Sequence, residues 1–548
     1  MMRIFATATM WTQACILAFA AGVTFIAPNI NAAAIESCDV NSPGLIHCGS
    51  APSATFSDDG SLWVVFEYQQ HVWLTKSRDD GRQFDVAIRV TDEPENIETN
   101  GENRPKIIVD DDSGSLFVSW TQKTEGMHTG DIRYTYSTDM GSTFEPVRTV
   151  NDDGLLTSHR FESMLLTDEG RLYITWLDKR NLEYAKERGE EYRGSGVFYT
   201  YSDDNGRSFA PNQKIADHSC ECCRIAVAPH GDNGMALMWR HVFDVNTRDH
   251  AIATVNGSDV TSVNRATVDD WQIDACPHHG PSMVPADSSE TYHMSWFSAG
   301  DTHRGLYYGR HDVAIGETSR VKQMDGRPGA GHPSLAVEDD VLHMVWKRFN
   351  GVATDLILVS SSDDGTSWSE ESVLATTEGG SDHPLLVQGP EGLRVSWMTH
   401  EDGYKFVRIA DSKPDIRAFT TTTFEDIKTQ REGQPFVLAL WSVTCPPCMV
   451  ELDMFGELLK EQPGLPLVLV STDDIEGMED ALDFLYDYEL DGITSWMFAD
   501  SFTERLRYSI DPNWFGELPR SYYFNENHAA EAHSGILQED QVRYWLSL

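Results

Sequence analysis

The run SLFVSW, residues 115–120, is one of seven short segments whose shared pattern decides the fold. The others are SLWVVF ending at Phe66, RLYITW at Trp176, MALMW at Trp239, YHMSW at Trp296, LHMVW at Trp346 and LRVSW at Trp397. Successive aromatic ends lie 54, 56, 63, 57, 50 and 51 residues apart, room for one four-stranded antiparallel unit in each interval. The runs are apolar and aromatic, with the short period of strands, and no long helical periodicity interrupts residues 35–411. A chain that repeats one antiparallel unit at this period builds a radial array of sheets, a β-propeller. Seven aromatic strands predict seven blades.

A second signature falls later in four of the units: SRDDGRQF (77–84), STDMGSTF (137–144), SDDNGRSF (202–209) and SSDDGTSW (361–368). The aspartate can accept backbone N–H groups across a turn, glycine supplies a positive φ and the aromatic packs between sheets. The pattern resembles the Asp-box, or BNR repeat, of sialidase-like propellers, with Gln83 departing at the seventh position. These boxes speak for fold and not for catalysis. Familiar sialidases have six blades, so six is the alternative to the seven counted here. The last unit, 382–411, is too short for four strands, and Asn41 to Cys48 is expected to supply the missing strand, with Cys38 and Cys48 paired as a clasp.

Aligning the units on the aromatic exposes what precedes each innermost strand: Ala51-Pro52, Arg104-Pro105, His159-Arg160, Cys222-Cys223-Arg224, His278-His279-Gly280-Pro281, His332-Pro333 and His383-Pro384. Innermost strands line the propeller axis, so these residues are expected at one mouth of it. The densest part is Cys220-Glu221-Cys222-Cys223, with Cys276, His278 and His279 from the next unit and His218 close by. Cysteine and histidine are the ligands of copper(I) or zinc. The structural alternative is a disulfide from Cys220 or Cys222 to Cys276. Arg104, Arg160 and Arg224 lie on three adjacent units and form a candidate anion site. The arginine motif F/Y-R-I-P that opens the sialidase carboxylate triad is absent, and no pair of carboxylates suited to glycoside cleavage can be nominated.

The C-terminal part reads Trp441-Ser-Val-Thr-Cys445-Pro446-Pro447-Cys448, then Glu451, and later Leu518-Pro519-Arg520. An apolar strand (436–441) leads into the cysteines and a helical stretch follows. That places both sulfurs at a helix N-terminus, where unpaired N–H groups and the dipole favour a thiolate. Cys-x-x-Cys is also half of a zinc site, but the last hundred residues add only His528 and His533, without finger-like spacing. Further strands at 465–471 and 521–524 and a helix at 476–488 give β-α-β-α-β order. This resembles the thioredoxin fold, and W-x-x-x-C-P-P-C-x-x-E is similar to the TlpA/ResA branch of periplasmic thiol-disulfide oxidoreductases, over roughly 420–548. The resemblance implies Cys445 as nucleophile, Cys448 as resolving cysteine, Pro519 as a cis-proline facing them and Glu451 as a buried carboxylate assisting proton transfer at Cys448. It also implies cysteine-containing protein substrates and electrons from a membrane thiol donor.

Arg3, an apolar run over 16–26 and Ala32-Ala33-Ala34 predict a signal peptide over 1–34, hence a periplasmic or secreted chain without a lasting transmembrane segment. Residues 35–411 are then the propeller, 412–423 a linker containing Pro414, and 424–548 an α/β thioredoxin-like domain. The formal charge of −44 excludes nucleic acid and anionic membrane surfaces as partners. The leading expectation is an exported thiol-disulfide oxidoreductase, needing no cofactor for exchange, whose propeller presents substrate or handles a soft metal. The alternatives are a copper-binding propeller whose cysteines are kept reduced by its own dithiol domain, and a sialidase-like or carbohydrate-binding propeller.

Overall fold

Strand pairing in the computed structural model, which describes residues 38–390, 392–409, 416–462, 464–490, 493–500 and 502–546, resolves into seven consecutive antiparallel sheets and one mixed sheet. The signal-peptide expectation for 1–34 lies outside the described residues. The seven sheets span 50–89, 106–149, 159–219, 226–265, 282–325, 330–377 and 385–408. Their first strands (Ser50–Phe56, Lys106–Asp110, His159–Leu166, Ala226–His230, Ser282–Pro285, Ala330–Glu338 and Leu385–Gly389) each pack on the next, and the last packs on the first. That cycle is a seven-bladed β-propeller.

The near-continuous apolar runs follow from where they sit. Leu116, Val118 and Trp120 pack with Trp63 and Leu74 of the first blade, whereas Phe117 packs with Ile174 and Trp176 of the third. Every blade is covered on both faces, so alternate side chains enter two different cores. The six tryptophans that end the runs from Trp120 to Trp397 are fully buried. A buried indole N–H needs an acceptor. It finds one in Glu95 for Trp120 (2.7 Å), Asp178 for Trp176 (2.8 Å), Asp269 for Trp296 and Asp325 for Trp346 (both 3.0 Å).

The Asp-boxes close the turns between third and fourth strands of blades one, two, three and six. In the second, Ser137 Oγ donates to Asp139 (2.7 Å) and accepts from Gly141 N (2.9 Å), while Asp139 accepts from both the N–H and the hydroxyl of Thr143 (2.8 Å each). Gly141 has φ +77°. In the first box Gln83 donates only its N–H to Asp79 (2.9 Å). The third blade carries an inserted helix, Arg180–Arg188, between its second and third strands.

Among the described residues the seventh blade has three strands, and the expected fourth does not come from 41–48. Pro43–Cys48 is a 3-10 helix, started by Pro43 and capped by Ser42 Oγ on Gly44 N (3.2 Å). Proline has no N–H for a ladder and pre-sets a helical φ. The segment caps the blade instead: Leu45 and Ile46 are buried with Met398 and Tyr404, and Cys38 is disulfide-bonded to Cys48. The ring closes through side chains between blades seven and one, notably Arg394 with Asp80 (Nε to Oδ2 2.8 Å).

The mixed sheet has order 416–419, 495–498, 467–474, 436–441, 520–524, 530–534, with the first four strands mutually parallel, 520–524 antiparallel to 436–441 and 530–534 antiparallel to 520–524. Helices Pro446–Glu461, Met478–Asp487 and Glu539–Leu546 contribute to the core on one face; Thr423–Gln430 and Thr503–Ile510 contribute to that on the other. The linker expected over 412–423 is thereby shortened: Ile416–Phe419 is an edge strand paired with Ser495–Phe498, and a helix starts at Thr423. Four residues beside a threonine run carry too little periodicity to be read as a strand.

The tryptophan–acid bonds make a direct prediction. Glu95→Ala strips the acceptor from Trp120 and the partner from Arg133 (2.8 Å), and is expected to cost about 1–3 kcal/mol in urea unfolding. Glu95→Gln should lose less, and Asp139→Ala, in a surface turn, less again.

Candidate functional site

Two places bring reactive side chains together: the mouth of the propeller and the start of helix Pro446–Glu461.

At the mouth the centre is Glu102, a residue that the alignment of the repeats did not single out. It is 4 % exposed, and its carboxylate accepts from Arg224 N (2.9 Å), Arg224 Nη1 (3.1 Å), Gly280 N (2.9 Å) and His332 Nδ1 (3.1 Å), with His383 Nδ1 at 3.4 Å. Burial opposes the charge, but the Arg224 guanidinium and the His332 hydrogen bond hold Glu102 well below the usual carboxylate range. Burial lowers His332 and His383, and His279 falls to about 3, so these imidazoles are neutral near pH 7. Their rings stack in the order Phe297, His279, His332, His383.

The three arginines expected to bind an anion are each engaged by a carboxylate: Arg104 with Asp382 (3.2 Å), Arg160 with Glu98 (Nε to Oε2 2.6 Å) and Arg224 with Glu102. Arg104 also donates to the carbonyls of Pro52 (2.9 Å) and His383 (3.2 Å), fastening blades one and seven to blade two. A buried guanidinium requires such compensation. Lys106 reaches Glu162 at 3.6 Å, and burial raises both Glu162 and Asp382. His159 is fully buried; burial disfavours its charge, but Asp131, Asp153 and Asp178 raise it to about 10, so it serves as an internal cation. Two of these acids sit one or two residues ahead of an aligned entry, Glu102 before Arg104 and Asp382 before His383, and for them that offset was the available signal.

Among the described residues three sets of side chains offer metal-ligand atoms within 4.8 Å of one another: Cys220/Cys222/Cys223, Glu102/His332/His383 and Asp153/His159/Asp178. The second is already neutralised by Arg224 and the third by the protonated His159 and by Arg180. The cysteine set lies in the crossover from blade three to blade four, with Sγ–Sγ distances of 3.5 Å (220–222) and 3.9 Å (222–223) and exposures of 1 %, 4 % and 2 %. Hydrogen bonds from Cys222 and Cys223, with Arg240 and Arg248 nearby, hold the Cys220 thiol well below its ordinary value. Cys276 and His278 are exposed and His279 belongs to the imidazole stack; Cys276 interacts with the Cys222 thiol, but none of the three shares the mutual 4.8 Å reach of the cysteine set.

In the C-terminal unit Cys445 is the N-cap of helix Pro446–Glu461 and is disulfide-bonded to Cys448. Cys445 is half-buried and Cys448 fully buried. Asp473, also missed in the sequence, braces the approach by accepting from Ser442 Oγ (2.7 Å) and Val443 N (2.9 Å). Glu451, one turn beyond Cys448, is 2 % exposed and accepts from Leu537 N (2.5 Å) and Ser521 Oγ (3.4 Å). Burial raises it to about 7. Leu440 pairs with Arg520, which sets Pro519 alongside Trp441 at the cysteine end of the sheet; the Leu518–Pro519 peptide is cis. Among the described residues no helix is long and apolar enough to cross a membrane.

No family model matches the chain, and no curated protein matches it. Among solved structures it is similar to an ulvan lyase of polysaccharide lyase family PL25 (12 % identity, 66 % of this chain, 93 % of that one, TM-score 0.44). It is also similar to a mutant NanB sialidase from Streptococcus pneumoniae (9 %, 66 % and 67 %, TM-score 0.38). The third is a secreted Mycobacterium tuberculosis disulfide oxidoreductase (19 %, 22 % and 84 %, TM-score 0.19).

The raised Glu451 carboxyl predicts a pH effect. Between its ordinary 4.5 and about 7 the folded chain keeps a proton that the unfolded chain has released, so stability falls as pH rises through that window. The full loss, at most about 3 kcal/mol, is in place above it. Glu451→Gln should leave stability near pH 4.5 unchanged and raise it at pH 8, read from hydrogen exchange of strand Phe436–Trp441 in the full chain.

Proposed function

We propose that the chain is a thiol-disulfide oxidoreductase acting through Cys445 and Cys448 in an exported, thioredoxin-like C-terminal domain. The observation that carries this reading is the asymmetry of the pair: a half-buried Cys445 capping a helix, bonded to a buried Cys448, with a buried Glu451 at about 7 one turn on. In the reduced protein the helix N-terminus stabilises the Cys445 thiolate. That thiolate attacks a substrate disulfide; one substrate sulfur leaves as thiolate and the other is joined to Cys445. Cys448 then gives its proton to Glu451 and attacks the Cys445 sulfur, releasing the second substrate thiolate. Two electrons pass from the dithiol to the substrate, and a thiol donor must restore them. The substrates are cysteine-containing proteins, which the propeller would present; the donor is a membrane thiol reductant.

A second reading makes the propeller a carbohydrate-active module. One feature favours it: Glu162 and Asp382, both raised by burial, are the kind of carboxyl that serves as a general acid, beside an ionised Glu102. Both are already engaged by Lys106 and Arg104, as a structural role also requires. Cleavage of any member of a panel of anionic polysaccharides, lost in Glu162→Gln, would establish it.

For the dithiol, Cys445→Ser is expected to reduce exchange to the uncatalysed rate, and Cys448→Ser to accumulate mixed disulfides through Cys445, identified by mass spectrometry. Mixed disulfides formed through Cys448 in Cys445→Ser would reverse the roles.

A further inference from the structure

The sulfurs of Cys220, Cys222 and Cys223 sit together between blades three and four, away from the dithiol in sequence and free of disulfides. A metal about 2.3 Å from each of three thiolates in one plane holds the sulfurs about 4.0 Å apart. The observed 3.5 Å (220–222) and 3.9 Å (222–223) are close to that spacing.

The surrounding charge supplies an independent argument. Arg240 is 1 % exposed, yet its hydrogen bonds go to the carbonyls of Arg248 (2.9 Å), His279 (3.0 Å) and Phe297 (2.8 Å). Arg248 donates to the Ile273 carbonyl (2.9 Å) and to Cys220 Sγ (3.1 Å). Among the described residues neither guanidinium has a carboxylate partner, although every arginine of the propeller mouth has one. Two cations without a carboxylate, at a buried spot in a chain of net charge −44, call for an anion. Three thiolates around a monovalent cation carry a net charge of −2, which two guanidiniums offset.

We propose that Cys220, Cys222 and Cys223 form a three-coordinate thiolate site for copper(I). Thiolate ligands suit copper(I) or zinc, and zinc takes four ligands where it is structural. Among the described residues only three members lie within mutual reach and are buried in the core of blades three and four; Cys276 interacts with the Cys222 thiol and is exposed. Loading forms three sulfur–copper bonds and releases the protons still on those thiols to solvent. Copper enters as copper(I), so no electron is transferred.

The test uses the full chain, reduced and kept anaerobic, titrated with copper(I) against a chromophoric copper(I) chelator. One copper per chain is expected, with three sulfur neighbours by X-ray absorption. In the loaded wild-type chain alkylation should spare Cys220, Cys222 and Cys223 and still modify Cys276, a readout that needs no variant. The double variant Cys445→Ser/Cys448→Ser should keep the copper, and Cys222→Ser/Cys223→Ser should lose it while retaining the wild-type circular dichroism. Equimolar zinc should not displace it. Reduced wild-type chain that leaves all copper with the chelator, alkylation that reaches the three cysteines in the loaded chain, or a copper ion lost with Cys445 and Cys448 would each overturn the assignment.

Discussion

The Glu102 carboxylate accepts from groups in blades four and five and from the imidazole of blade six, lies against that of blade seven, and itself enters blade two, so the mouth of the ring is organised around keeping one buried charge compensated. The remaining blades are joined by bonds of the same kind: Arg104 reaches blades one and seven, and Arg160 and Lys106 link blades two and three. A buried carboxylate tolerates this position only while its partners stay in place. The residues that look most reactive in the repeats therefore bind the blades to one another, and their alignment at one mouth has a structural cause.

Seven of the chain's nine cysteines fall into three environments. Cys38–Cys48 closes a ten-residue clasp over a blade. Cys445–Cys448 lies at a helix N-terminus with a buried carboxylate one turn away. Cys220, Cys222 and Cys223 remain thiols facing two guanidiniums. Spacing alone does not separate the last two, since both read as closely spaced pairs; what distinguishes them is which charges the fold brings to the sulfur.

Much of the fold is legible because it is written in repeats. Seven aromatic strand ends gave the blade number, and Ser137, Asp139, Gly141 and Thr143 make the turn their spacing suggests. The 41–48 segment misled because an apolar Leu-Ile pair beside a proline suits a short helix as well as a strand. The mouth was half legible. Its histidines, cysteines and arginines stand out in the alignment, whereas Glu102, Asp382 and Glu162 do not, in a chain with 86 acidic residues. Compensation between Arg104 and Asp382, 278 positions apart, exists only once the ring has closed.

The three-stranded seventh blade has a consequence for solubility. Among the described residues its last strand, Gly403–Arg408, pairs with no further strand, and such an edge invites pairing by a strand of another molecule. Here the Tyr404 N–H is directed to the His47 ring (3.2 Å), and the proline-started helix that carries His47 is pinned by its disulfide. The clasp thus works as a guard against intermolecular sheet growth, and it withholds a hydrogen-bonding position without adding a strand whose own edge would need guarding in turn.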